Sequence, residues 1–211
     1  TGSFLRTSDF NDNGWRLNAT SLTDPFMISP PVSINANNNR YVAVNLRITG
    51  FPNNCAQPQL YFNKNTSWGF AEGRSVKAAK ITTQDVFQTV FFDMKSNSNW
   101  SGTVGRLRLD PLQCSGSPNN SWIRVRSIQV TNKGPITADF SVSPAPYEAG
   151  QEVTFTSQVS GSPDELIWDW GDGTSNSSGA TATHVYTTPG TYTVTFTARH
   201  SLDAEGVGKI I

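Results

Sequence analysis

The run Trp168-Asp169-Trp170-Gly171-Asp172-Gly173-Thr174 decides how the C-terminal third of this chain folds. Two bulky aromatics alternate with an acid, and the chain then turns on Gly-Asp-Gly. Alternation of this kind is a strand, with Trp168 and Trp170 on one face and Asp169 on the other. Gly171 and Gly173 supply backbone freedom at the turn, and Asp172 can hydrogen-bond locally.

Working outward, His184-Val185-Tyr186, Pro189-Gly190-Thr191-Tyr192 and Val194 follow in order. Together with the opening run they resemble the PKD domain, whose signature reads Trp-Asp-Phe-Gly-Asp-Gly; Trp170 replaces the usual Phe. The resemblance implies an immunoglobulin-like β-sandwich, a non-catalytic module of secreted or surface proteins. It leaves specific activity to the rest of the chain.

Composition agrees with an extracellular all-β protein. Only 15% of the 211 residues are charged, and Asn, Ser, Thr and Gly are abundant. No apolar run is long enough to span a bilayer. The chain starts abruptly at Thr1-Gly2-Ser3 and stops in or just after a strand, so we read it as an excised piece of a longer protein. The net charge of zero hides an asymmetry: residues 1–134 hold 14 Arg and Lys against 7 Asp and Glu, a balance of +7, and residues 135–211 hold 2 against 9, a balance of −7. Such asymmetry indicates an anionic partner, or else only solubility and attraction between domains.

Strands are expected at 40–48, 59–63, 75–82, 87–94, 104–110 and 122–130, after irregular strands around Phe4, Trp15 and Phe26. Residues 131–135 form a short linker. Further strands are expected at 138–143, 153–159, 166–170, 182–186, 191–199 and 207–211. In 122–130, Ile123 and Val125 sit on odd positions while Ile128 and Val130 sit on even ones. Period two cannot keep both sets on one face, so a β-bulge is expected near Arg126-Ser127. The fold class is all-β: a jelly-roll sandwich over 1–133, then the PKD sandwich over 134–211.

A second resemblance concerns the first domain. Glu72-Gly73-Arg74-Ser75-Val76-Lys77, Phe87 to Met94, Trp100-Ser101-Gly102 running on to Pro111, and the Ile-x-Val-x-x-Ile of the last strand follow one another. The succession resembles the galactose-binding-like jelly rolls that serve as carbohydrate-binding modules. Asn11-Asp12-Asn13-Gly14-Trp15 is similar to their N-terminal Gly-Trp segment. The resemblance implies non-catalytic polysaccharide binding that targets a larger secreted enzyme or surface protein to a glycan. It also implies a structural calcium near the N-terminal strands, with Asp9 and Asp12 as oxygen ligands; no other cofactor is required.

Sugar recognition needs aromatic faces for C–H surfaces and planar polar groups for hydroxyls. Trp68 and Trp100 lie in polar loops; each is either a stacking platform or an anchor under the sandwich rim. Leu60, Phe62, Leu107 and Leu109 point inward, so Tyr61, Asn63, Arg106 and Arg108 are expected to line an outward face, with Arg74 nearby. These arginines suit a uronate or sulfated glycan. The alternative is an ordinary solvated face, with Arg108 and Asp110 locked together. Residues 1–134 contain no histidine, which removes Ser-His and Cys-His mechanisms, and no carboxylate pair is recognisable. The chain is therefore expected not to be an enzyme, the remaining catalytic reading being a lyase that uses Arg, Tyr and Lys. A structural or adhesive pair without glycan specificity is the other rival. Nucleic acid and membrane insertion are not expected, and the chain is expected to act as a monomer at the cell surface or outside the cell.

Cys55 and Cys114, the two cysteines, are expected to form a disulfide in such a compartment. The bridge closes a loop of roughly 60 residues and contributes about 3–4 kcal/mol in the chain-entropy model. Mass measurement after alkylation, with and without reductant, should find one bridge; two free thiols from an oxidising medium would overturn the compartment argument too.

Overall fold

The computed structural model describes residues 10–11, 14–18, 26–52, 55, 57–112, 121–143, 145–200 and 207–210. The chain divides into two compact units between Asn132 and Lys133. Among the described residues there is no α-helix, only two short 3-10 turns at Glu72–Arg74 and Met94–Ser96.

The first unit contains β1 (Phe10–Asn11), β2 (Gly14–Asn18), β3 (Met27–Ile28), β4 (Ile34–Asn35), β5 (Tyr41–Thr49), β6 (Gln59–Asn63), β7 (Ser75–Lys77), β8 (Gln88–Asp93), β9 (Thr103–Val104), β10 (Arg106–Asp110) and β11 (Trp122–Thr131). One antiparallel sheet has the order β1-β2-β11-β5-β8, the other β3-β10-β6-β7, and β4 pairs with β9. Alternation decides what enters the space between them. Val42, Val44, Leu46 and Ile48 of β5, Leu60 and Phe62 of β6, and Leu107 and Leu109 of β10 all join one buried core.

The expected bulge is present. The β11–β5 register shifts between Val125 and Ser127, with Arg126 as the extra residue. The shift lets Ile123 and Val125 before it, and Ile128 and Val130 after it, pack on the same core. Trp100 corrects an expectation. It is buried, its ring meets Phe62 edge-on at 5.1 Å, and its indole N–H donates to Asn39 O at 2.8 Å. A buried indole of this kind is an anchor and offers no stacking platform.

The second unit contains β12 (Ala138–Val142), β13 (Glu152–Val159), β14 (Glu165–Asp169), β15 (Ser177–Ser178), β16 (Thr181–Val185), β17 (Thr195–Arg199) and β18 (Val207–Ile210). Its sheets run β12-β13-β16 and β15-β14-β17-β18. Phe140 and Phe155 from the first meet Trp168 and Phe196 from the second, Trp168 and Phe196 with centroids 4.2 Å apart. Trp168 is fully buried, and its N–H donates to Gly179 O at 2.9 Å. Trp170 is also buried, stacked on His184 at 4.7 Å.

The turn that follows is held by its own acids. The Gly171 N–H donates to Asp169 Oδ1 at 3.0 Å, while Thr174 donates to Asp172 Oδ1 through both its N–H and its hydroxyl. Gly171 has a φ of +71°, and a Cβ there would collide with Thr193 O, so this position requires glycine. Asp172 Oδ2 also meets His184 Nε2 at 2.7 Å. The bonds from Thr174 and His184 hold the Asp172 carboxyl down at about 2.

Trp168→Ala should cost about 3–5 kcal/mol, the range for deleting a large buried aromatic, and should leave the first unit folded. Chemical unfolding followed by circular dichroism measures it; full stability would refute the face assignment.

The low Asp172 value has a pH signature. A carboxyl held below its unfolded value of about 3.9 contributes stability that is fully present above that pH and is lost as pH falls through the folded value. The second unit of the native chain should therefore lose stability between about pH 4 and pH 2, and Asp172→Asn should flatten that part of the curve. Parallel curves across this window would count against the pair.

Candidate functional site

The outer face of β3-β10-β6-β7 brings together most of the residues expected at a site. Register pairs Arg106 with Asn63, Arg108 with Tyr61 and Asp110 with Gln59 on one side, and Arg108 with Ile28 on the other. Tyr61 also pairs with Ser75 on β7. Directly paired residues share a face, so Arg106, Arg108, Asp110, Gln59, Tyr61, Asn63 and Ser75 form one polar layer.

That layer is not open to solvent, which corrects the expectation of an outward-pointing row. Gln59, Tyr61, Asn63, Arg106 and Asp110 are all buried. Parity placed them on the right side of the sheet, but residues 64–74 fold back over them. Gly105 allows the close approach: a Cβ there would stand 2.7 Å from the Asn65 carbonyl.

Each buried polar group is satisfied from within, as burial demands. Asp110, with no exposed surface, accepts two bonds from Arg108 at 2.6 Å each. The Arg108 guanidinium lies 4.1 Å from the Phe26 ring centroid and 5.1 Å from that of Tyr61. The Tyr61 hydroxyl donates to Glu72 Oε1 at 2.5 Å, and Gln59 Nε2 donates to Glu72 Oε2 at 3.1 Å. Burial first, and then the Glu72 carboxylate, push the Tyr61 phenol well above its ordinary value. Arg106 donates to Thr66 O at 2.9 Å and Ser29 O at 3.0 Å. Arg106 and Arg108, expected to face a glycan anion, therefore already hold protein oxygens.

Trp68 is the exception. It is 56% exposed, in a chain whose other tryptophans in the described cores are buried. Asn63 Nδ2 donates to Ser67 Oγ at 2.8 Å and to Gly69 O at 2.6 Å, pinning the backbone on either side of it. The Arg106 guanidinium lies 4.1 Å from the indole centroid. The result is a planar apolar surface with a cationic back, rigidly set on a buried polar base. Arg74 stands on the same loop, partly exposed, with one bond to Asn63 Oδ1 at 3.2 Å.

Asp9, Asp12 and Cys114 lie outside the described residues. Cys55 is buried. No cluster of three or more metal-ligating side chains occurs among the described residues.

Sequence reasoning missed Glu72 as the organiser of Tyr61 and Gln59. The signal was the single glutamate of residues 1–134, just before the strand that pairs with the one carrying Tyr61.

The PKD domain model matches residues 137–206, within the second unit. The C-terminal third is thus a PKD domain, as the Trp-Asp-Trp-Gly-Asp-Gly run implied. No curated protein matches the chain. Among solved structures, the chain is similar to the Spr0440 glycoside hydrolase domain, Endo-D, from Streptococcus pneumoniae R6, at 15% identity, over 86% of this chain and 30% of that one, with a TM-score of 0.35. It is similar to a β-1,2-glucanase from Parabacteroides distasonis at 10% identity, over 84% and 28%, with a TM-score of 0.37. An amphioxus IgVJ-C2 molecule matches at 12% identity, over 79% and 94%, with a TM-score of 0.32. The chain spans less than a third of either hydrolase, and none of these likenesses carries an argument about function.

Proposed function

We propose that this chain is a non-catalytic polysaccharide-binding module pair. In this reading the first unit is a galactose-binding-like jelly roll that holds a glycan, and the PKD unit is a spacer within a larger secreted enzyme or surface protein. The single observation that carries the reading is Trp68, an exposed indole backed by Arg106 and fixed on both sides by Asn63. Pyranose C–H faces stack on such a ring, and prior fixing of the side chain removes part of the entropy cost of binding. Arg74 and the Glu72 backbone rim supply polar partners for hydroxyls.

The chemistry favours binding over catalysis. Residues 1–134 hold no histidine, and the carboxylates of Glu72 and Asp110 are tied to neighbouring side chains. The reading places the chain outside the cell, with the Cys55–Cys114 bridge closed and any calcium at Asp9 and Asp12 in a structural role. Among the described residues no helix is long and apolar enough to cross a membrane. Tethering would raise affinity through effective concentration. The rival reading, a structural or adhesive pair, is favoured by how completely the polar layer satisfies itself.

Tryptophan fluorescence and affinity electrophoresis against neutral and acidic polysaccharides test the proposal. Trp68→Ala should cost about 2 kcal/mol of binding, roughly 30-fold in Kd, as for a central aromatic anchor. Silence of the native chain across the panel would favour the rival.

A further inference from the structure

The outer face of the five-stranded sheet carries a second basic surface, remote in the sequence from the Trp68 loop. Register pairs Arg16 with Arg124 and Arg124 with Arg47, so three arginines occupy one row across β2, β11 and β5. Like charges placed opposite each other destabilise a sheet, and a locally costly arrangement calls for a compensating role.

Aromatic rings separate the cations. The Arg126 guanidinium lies 3.7 Å from the Phe87 centroid, and Arg47 lies 5.2 Å from Phe87 and 4.8 Å from Trp122. Arg124 lies 5.2 Å from the Trp122 centroid. The bulge at Arg126 brings that exposed side chain into the series. No carboxylate among the described residues pairs with Arg47 or Arg126. Asp93 pairs with Arg40, Asp110 with Arg108, Glu72 bonds Tyr61, and Asp85 accepts from Thr49 at 2.6 Å.

On β5, two buried polar atoms of this face lack partners, one of each kind. Arg47 Nε is a donor without an acceptor, and Asn45 Oδ1, two residues along the same strand, is an acceptor without a donor. Buried polar groups in folded proteins are rarely left so. A ligand that answers both offers an acceptor, best an oxyanion, to Arg47 and a hydrogen-bond donor to Asn45. An inorganic anion without a proton supplies only the first, and an acidic peptide that supplies both lacks the C–H ring faces that pack on Phe87 and Trp122. A sulfated or uronic sugar supplies both. Neighbouring strands lie about 4.8 Å apart, comparable with one sugar unit of an extended chain crossing them.

We propose that this face, centred on Arg47, Arg126, Asn45, Phe87 and Trp122, is a binding site for an anionic polysaccharide. It is separate from the Trp68 platform and does not depend on it. The surplus of +7 in residues 1–134 then has a location, which the internally engaged Arg106 and Arg108 do not provide.

The test measures binding of the full chain at low salt to dextran sulfate and polygalacturonate. Neutral dextran, poly-glutamate and single-stranded DNA are the comparisons. The native chain should bind at least one of the acidic polysaccharides, ignore dextran, and bind poly-glutamate and DNA about tenfold or more weakly. Arg47→Gln with Arg126→Gln should weaken polysaccharide binding about tenfold or more and flatten its salt dependence. Lys77→Gln, which removes an exposed charge on the other sheet, should leave it within about twofold, so loss of this site is told apart from loss of charge alone. Should the double variant fold poorly, Arg126→Gln alone alters only an exposed side chain and should cost about threefold. Unchanged affinity in the variants, no binding by the native chain, or equal affinity for poly-glutamate or DNA would overturn the proposal.

Discussion

A carboxylate with no exposed surface must have a cation beside it, and in the first unit that carboxylate is Asp110. Removing the partner of a buried charge costs far more than an exposed ion pair contributes. Arg108 meets the need from the same strand and the same face, with both bonds in the plane of its guanidinium. Its flat surfaces are then left to Phe26 and Tyr61. Tyr61, turned by that contact, reaches Glu72, and Glu72 gathers Gln59. The polar layer over β3-β10-β6-β7 grows from this pair, and residues 64–74 close over it. Trp68 is presented because what lies beneath it cannot move.

Much of this was legible in the sequence, because strand parity is a strict rule. It named the residues of the outer layer correctly, placed the core on Leu60, Phe62, Leu107 and Leu109, and required the bulge near Arg126. The Trp-Asp-Trp-Gly-Asp-Gly run identified the PKD domain by itself. Parity says which side a residue faces and nothing about what covers that side. The burial of Arg106 and Asn63 depends on a loop of Asn, Thr, Ser and Gly whose path has no periodic signal. Trp100 misled for a related reason: its polar neighbours suggested exposure, whereas Phe62 and the Asn39 carbonyl draw it inward. Strands expected at 75–82 and 191–199 are shorter, β7 ending at Lys77 and β17 starting at Thr195.

The two units solve the same problem differently. The second fills its core with large rings, Trp168, Trp170, Phe140, Phe155 and Phe196, which suits a small sandwich with few residues to bury. The first spreads its core over many aliphatic side chains and places aromatic rings against arginines on its outer faces.

The extra residue in β11 makes that strand a matter of counting. Ile123 and Val125 are in step with the core only up to Arg126, and Ile128 and Val130 only beyond it. Loss of a single residue at this point would invert the second half of the strand, turning Ile128 and Val130 outward and Ser127 and Gln129 inward. Slippage could not be absorbed at the far end, because Asn132 accepts from the Arg40 N–H at 2.9 Å and donates to Asn38 O at 2.6 Å. In natural variation of this chain, the number of residues between Trp122 and Asn132 is therefore held by the core itself, whatever side chain stands at the bulge.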